Sequence, residues 1–354
     1  MSAKSASNEI AGQSAAGAPP ARHSWRGVSN RRPALTLEMD KLLYLFFRAV
    51  VALLQALPLR WVARLGRLGG ALAYVLDARH RRIALGNLRD CFAQERTETE
   101  IRNLAREHFR RLGENYACAI KTASMSKEEL APHIDWAHHD RILPKTTGSE
   151  PTRRVVAIGH FGNFELYARW GQFYPQFQGA TTYRGLRQPS LSRLMQQLRE
   201  RSGCWFFERR TDASKLKAAM NQPNILLGLL ADQHAGDGGL WLEFFGRPCS
   251  TSAAPAIFAQ RYRCPLHTGF CFRTGLAQWR IEAGAEIATQ EPNGEWRSKE
   301  AIMRDVNRAF EEAIRRDPAN WFWVHKRWKP RPAPRSAPPR SSMPSPEQES
   351  ATES

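Results

Sequence analysis

The apolar pattern of the chain begins with Leu42–Leu57, LLYLFFRAVVALLQAL, sixteen residues interrupted only by Arg48 and Gln55. A helical membrane span needs about 20 apolar residues. Basic residues flank the run on both sides, Arg31, Arg32 and Lys41 before it and Arg60, Arg64 and Arg67 after it, so charge gives no direction of crossing. The run therefore reads as a hydrophobic membrane-anchoring helix that dips into or lies on a lipid surface, with Arg48 reaching to the headgroups. Leu59–Leu76 continues in helical rhythm: Val62, Leu65, Leu68, Leu72, Val75 and Leu76 recur on one stripe, while Arg60, Arg64 and Arg67 fall elsewhere. Such a stripe packs on a core or sits on lipid. Placed between a hydrophobic anchor and the basic run Arg79-His80-Arg81-Arg82, it favours lipid.

Beyond this point helical and strand patterns alternate. Glu98 to Met125 has a helical period, Val155–Ile158 is a short buried strand, and Phe164–Phe173 looks helical again. Leu191, Leu194, Met195 and Leu198 form a second helical stripe. Ile225–Leu230 is a second buried strand, Leu266–Phe272 and Trp279–Ile281 read as further strands, and Ile302, Val306, Phe310 and Ile314 mark a closing helix. The alternation predicts an α/β fold without internal repeats. Residues 1–36, rich in Ala, Ser, Gly, Pro and Arg, and residues 331–354, which open proline-rich and turn polar, read as disordered extensions. Between them lie an anchor with its basic amphipathic helix, 37–82, and one main domain, 83–330.

Composition narrows the function classes. A mean hydropathy of −0.51 excludes a polytopic membrane protein. Lys and Arg outnumber Asp and Glu by 52 to 34, a formal charge of +18, so an anionic partner is expected: nucleic acid, an acidic lipid surface or a phosphorylated substrate. The six cysteines (91, 118, 204, 249, 264 and 271) form no CxxC pair or zinc-finger spacing and read as reduced thiols in a cytosol-facing domain. The polar first forty residues contain no cleavable signal. Neither GxSxG, a P-loop nor GxGxxG occurs, which disfavours hydrolase, nucleotide-triphosphatase and dinucleotide chemistry.

The sharpest local signal stands at the end of the first buried strand, Gly159-His160-Phe161-Gly162-Asn163-Phe164-Glu165. Two glycines and an asparagine form a strand-to-helix corner that presents a histidine where open α/β sheets bind ligands. Acyl transfer to an alcohol requires a base with a pKa near working pH, and a carboxylate on the other ring nitrogen fixes its tautomer. Glu165 is the candidate for that carboxylate. Five residues in a continuous helix point about 140° apart, so the pair requires His160 in the corner and Glu165 in the first turns. Spacing alone leaves a structural turn histidine open. The backbone donors near Gly162 are candidates for an oxyanion site. His234 and His325 are secondary candidates, and His133, His138 and His139 lack HExxH spacing.

GHFGNFEL resembles the HxxxxE form of the glycerolipid-acyltransferase signature, and is most similar to the late lipid A acyltransferase family. Further segments agree in order: Arg81-Arg82-Ile83-Ala84-Leu85-Gly86-Asn87-Leu88, Thr182-Tyr183-Arg184, Gln188-Pro189, Ala231-Asp232-Gln233-His234, Phe244-Phe245-Gly246 with Ser250-Thr251, and Trp321 to Lys329. The likeness spans about residues 40–330. It implies a mixed sheet flanked by helices, His160 and Glu165 as catalytic pair, and Arg199 and Asp232 as further substrate-binding residues. Arg201 is a rival to Arg199, which otherwise reads as an exposed helix residue, and Asp232 otherwise reads equally as a turn cap. The likeness further implies acyl carrier protein or acyl-CoA as donor, an anionic glycolipid acceptor, a membrane surface as partner, and no metal or cofactor. The expected place is the cytoplasmic face of a bacterial inner membrane. The same motifs fit a mannosylated phosphatidylinositol acceptor, and a non-enzymatic basic protein binding membranes or nucleic acid is the alternative from another class. The aromatic–basic cluster Trp321–Lys329 reads as a domain edge touching lipid.

Overall fold

A computed structural model describes residues 34–143, 152–186 and 188–331 of the chain. Nearly all of the two expected disordered extensions lies outside the described residues. Five helices come first: α1 (Ala34–Ala56), α2 (Leu59–Leu76), α3 (Ala78–Phe92), α4 (Glu98–Thr122) and the single turn α5 (Lys127–Leu130). Strands and helices then alternate through β1 (Ile134–Ala137), β2 (Arg153–Ile158), α6 (Trp170–Phe173), β3 (Gln178–Tyr183), α7 (Pro189–Glu200), β4 (Trp205–Glu208), α8 (Ala213–Met220) and β5 (Ile225–Leu230). The hairpin β6 (Leu240–Phe244) and β7 (Arg247–Thr251) precedes α9 (Ala254–Arg261), β8 (Leu266–Gly275), β9 (Gln278–Ile287) and α10 (Lys299–Arg316). The termini of α4 explain themselves. Thr97 and Glu100 close a reciprocal capping box, and Lys121 lies in the last turn.

Seven strands form one mixed sheet in the order β1-β9-β8-β2-β5-β3-β4, parallel throughout except between β8 and β9. β2 and β5 occupy its centre, and this is why Val155–Ile158 and Ile225–Leu230 are apolar throughout: both faces are covered. Val155, Ala157, Ile225, Leu227 and Leu229 enter the larger core with α4, α9 and α10. Val156, Ile158 and Leu226 point to the other face and meet Ile142, Trp170, Phe177 and Ala283. The expected stripe of α10 is wholly buried at Ile302, Val306, Phe310 and Ile314. The α/β architecture and flanking helices match the sequence reading; β1, β3, β4, β6 and β7 are additional strands.

The front end departs from a simple core-facing stripe. Helix α2 packs on α4 through Val62, Ala63, Gly66 and Gly70, and the backbones approach closely. A Cβ on Gly66 would stand 2.6 Å from Gly113 O, and one on Gly70 2.0 Å from Phe109 O. The small residues therefore make the interface, and the bulky stripe faces outward: Val62 is 0% exposed but Leu68 is 68% exposed, with Trp61, Leu65, Leu72, Val75 and Leu76 also exposed. Met39, Leu42, Leu45, Phe46 and Leu53 of α1 are likewise exposed. Among the described residues no helix is long and apolar enough to cross a membrane.

Candidate active site

The central pair of strands delivers the site. β2 and β5 run parallel with Ile158 opposite Leu230, so the residues two steps beyond each strand, His160 and Asp232, leave the sheet side by side. Ala231 N–H donates to Ile158 O at 3.0 Å and holds this register past the strand ends. His160 Nδ1 meets Asp232 Oδ1 at 2.8 Å, and the backbone N–H of His160 donates to Oδ2 at 2.7 Å. The indole N–H of Trp321 donates to the same Oδ2 at 2.8 Å. The Asp232 side chain is 0% exposed and that of His160 14%. Burial by itself would raise the Asp232 carboxyl; the charge and two hydrogen bonds of His160 and the Trp321 donor outweigh it and hold the group below its ordinary value. An ionised carboxylate only accepts, so Nδ1 carries a proton, and in the neutral ring Nε2 presents its lone pair. Phe164 edge-on at 4.8 Å and Phe322 at 5.6 Å hold the ring between them.

Glu165 does not make the expected contact with His160. It lies in the first turn of the 3-10 helix Phe164–Arg169, which carries its carboxylate toward α7. There Arg199 grips it bidentately, Nε to Oε2 at 3.0 Å and Nη2 to Oε1 at 2.5 Å. The carboxylate that orients the histidine is Asp232, because parallel register brings residue 232 to residue 160 while the local turn carries residue 165 away. Arg199 is mostly buried; desolvation alone would lower its pKa, but the Glu165 hydrogen bonds and charge raise it above the ordinary value. Its rival Arg201 caps α7 instead, and its carbonyl accepts from Gln172.

The corner itself is closely fitted. Gly162 adopts φ +50°, and a Cβ there would lie 2.6 Å from Cys271 O. Its N–H donates to Asn320 O at 3.1 Å and Phe161 N–H donates to Gly159 O at 2.9 Å. Of the backbone donors expected to face an oxyanion near Gly162, those of Phe161 and Gly162 are thus engaged inside the fold, where Phe161 bridges to Trp321.

The segments that carried the resemblance converge here. Asn87 of α3 donates to the carbonyls of Trp323 and His325 at 2.7 and 2.9 Å. Arg327, fully buried, donates to Gln233 O at 3.2 Å, to Thr251 Oγ1 at 2.9 Å and to Ser250 O. His325 Nε2 accepts from His234 N–H at 3.0 Å. Burial, aided by Arg327 and opposed by Asp232, takes the His325 pKa down to about 4, so this ring stays neutral and can accept. Trp321–Trp328 is therefore an inner brace of the Asp232–His234 loop. Its aromatic–basic alternation suggested a lipid-touching edge; instead the Trp321 indole donates to the Asp232 carboxylate, those of Trp323 and Trp328 to Pro318 O and Phe244 O, and Arg327 to two carbonyls and the Thr251 hydroxyl. Trp321 and Gln233 stood in recognised segments without an assigned role. Only the three-dimensional pairing reveals what they touch.

Two cavities meet at His160. One, of about 190 Å³, is walled by Leu112, Ala119 and Ile120 of α4, Ala123 just after it, and Met195 and Leu198 of α7. The other, of about 570 Å³, opens past Thr181, Tyr183, Arg184, Arg209, Gln233 and His234. His160, Phe164, Glu165 and Arg199 border both. An apolar recess and a wider, polar-rimmed chamber thus share one base. None of the curated proteins compared with the chain matches it. A family model described as bacterial lipid A biosynthesis acyltransferase matches residues 34–330, and the chain belongs to that family.

Proposed function

We propose that this acyltransferase moves a fatty acyl chain from a thioester, on acyl carrier protein or coenzyme A, to a hydroxyl of a lipid A precursor, with His160 as general base. The observation that carries the reading is the pairing of His160 Nδ1 with buried Asp232, which turns Nε2 toward the place where the two cavities meet. The acceptor hydroxyl gives its proton to Nε2 as its oxygen attacks the thioester carbonyl carbon. Asp232 holds the Nδ1 proton and balances the imidazolium that forms. Collapse of the tetrahedral intermediate expels the thiolate, which recovers the proton from Nε2, leaving an ester and a thiol. The narrow apolar recess suits an acyl chain and the wider chamber, with Arg184 and Arg209 at its rim, suits an anionic glycolipid. The Glu165–Arg199 pair stands between them and fixes the wall common to both.

We place this work at the cytoplasmic side of the inner membrane; the outer face of α1 and α2 supports contact with a lipid surface. Its exposed apolar side chains adjoin Arg60 and Arg64, with Arg64 stacked over Trp61 at 5.0 Å, and α2 contains no acidic residue. Helix α1 also touches α7 beside the cavities, where Ser190 donates to Asp40 at 2.8 Å. The test is the lipid A mass spectrum of a deletion strain complemented with wild type or with His160→Ala. Wild type should restore one acyl chain and the variant should not; restoration by His160→Ala contradicts the reading.

A further inference from the structure

An acyl transfer through a tetrahedral intermediate develops negative charge on the former carbonyl oxygen, and a donor must face it. Three N–H groups beside the base do not serve: those of His160, Phe161 and Gly162 donate to Asp232, Gly159 O and Asn320 O. Arg199 is engaged by Glu165 through both Nε and Nη2. Gln233 differs. Its side-chain nitrogen lies 3.3 Å from His160 Nε2 and its carboxamide borders the larger cavity. With Nδ1 protonated, Nε2 is an acceptor, so the group facing it is the NH₂ end of the amide.

The backbone that carries this amide is held on three sides. Asp232 before it is fixed by Trp321, its own carbonyl by the buried guanidinium of Arg327, and His234 after it by His325. A side chain that only filled space would need no such brace. From this geometry we propose that Gln233 is a catalytic residue, whose carboxamide N–H caps the resting base and then donates to the oxyanion when the acceptor hydroxyl takes its place at Nε2. The inference rests on the acyl-transfer reading above. As the acceptor oxygen bonds to the carbonyl carbon, the C=O pair moves onto oxygen beside Gln233 and the hydroxyl proton passes to His160. When the C–S bond breaks, that pair re-forms the carbonyl and the thiolate takes the proton back. The brace, with Arg327 at its centre, positions the donor without touching substrate.

The experiment compares wild type, Gln233→Leu, Gln233→Glu and His160→Ala with a fatty acyl-carrier-protein thioester and a lipid A precursor in detergent micelles. Loss of one oxyanion donor lowers kcat on the order of 10²–10³-fold. Gln233→Leu should fall in that range with KM little changed. Gln233→Glu, which keeps the shape but places a carboxylate opposite the oxyanion, should lose at least as much. Gln233 is half-buried at a cavity wall, and melting curves verify that each variant is folded. A kcat for Gln233→Leu near or above wild type overturns the proposal and leaves Gln233 as a cap alone, and so does a loss confined to KM. If His160→Ala is inactive while Gln233→Leu is active, only this inference falls; if His160→Ala is active, the acyl-transfer reading falls with it.

Discussion

Replacing Asp232 with Asn separates tautomer control from mere space filling. In the native site Oδ2 receives two donors, His160 N–H and Trp321 Nε1–H, while Oδ1 faces His160 Nδ1 at 2.8 Å. The asparagine oxygen must stay on the two-donor side, since the opposite orientation would set an NH₂ against two N–H groups in a buried pocket. Its NH₂ then faces Nδ1. The ring answers by moving its proton to Nε2, and the base is lost. The imidazolium formed in the reaction also loses its buried counter-charge. In a histidine–carboxylate pair of this geometry the change costs about 10⁴-fold in kcat, or about 5 kcal/mol of transition-state stabilisation. Asparagine is nearly isosteric and uncharged, so the fold should survive and can be followed by melting. Initial rates of acyl transfer at saturating donor and acceptor give the answer. A kcat for Asp232→Asn within about tenfold of wild type, with an unchanged pH profile, would refute the assignment of Asp232 as the group that orients His160.

Other consequences can be checked separately. Gly162→Ala puts a Cβ on a residue at φ +50° and 2.6 Å from Cys271 O, so it should destabilise by more than about 2 kcal/mol in denaturant titrations. An unchanged midpoint would show that the corner yields. His108 is buried and its pKa is driven from 6.5 to about 4 by burial, partly opposed by its bond to Ala319 O. The unfolded ring binds a proton in that window and the folded ring does not, so this contribution is complete above pH 6.5 and is lost as pH falls toward 4, on the order of 3 kcal/mol. His108→Gln should therefore flatten the fall in melting temperature between pH 7 and 4.5, and an identical slope would contradict the sign. The double variant Leu68→Glu/Leu72→Glu removes two exposed apolar side chains of α2; at roughly 1.5–3 kcal/mol each, vesicle binding should weaken by more than about tenfold. Unchanged co-sedimentation with anionic vesicles would exclude this face as the lipid contact.

Much of this arrangement was legible in the chain, for reasons that differ by element. Ile225–Leu230 reads as a strand because a central strand covered on both faces must be apolar throughout, and α10 reads as a helix because its inner stripe is unbroken. β3, Gln178-Gly-Ala-Thr-Thr-Tyr183, has no such run, and the four-residue strands β1 and β4 are too short to show a period. Beyond buried Val62, the α2 stripe has the helical period expected but turns away from the helix's packing face, because glycines let α2 approach α4. At the site, local spacing drew His160 toward Glu165, five residues away. The partner observed is 72 residues away and arrives by strand register, which a linear pattern does not display. A trace of it exists: each central strand is followed, after one small residue, by the polar group, Ile158-Gly-His160 and Leu230-Ala-Asp232.

The central claim is that His160, held by Asp232, is the base of an acyl transfer to a lipid A precursor. Its most direct test is to incubate the purified chain or His160→Ala with an acyl-carrier thioester and a lipid A precursor, and to weigh the product by mass spectrometry. The account predicts addition of one acyl chain by the wild type and a rate at least about 10³-fold lower for the variant. Equal addition by His160→Ala would contradict it.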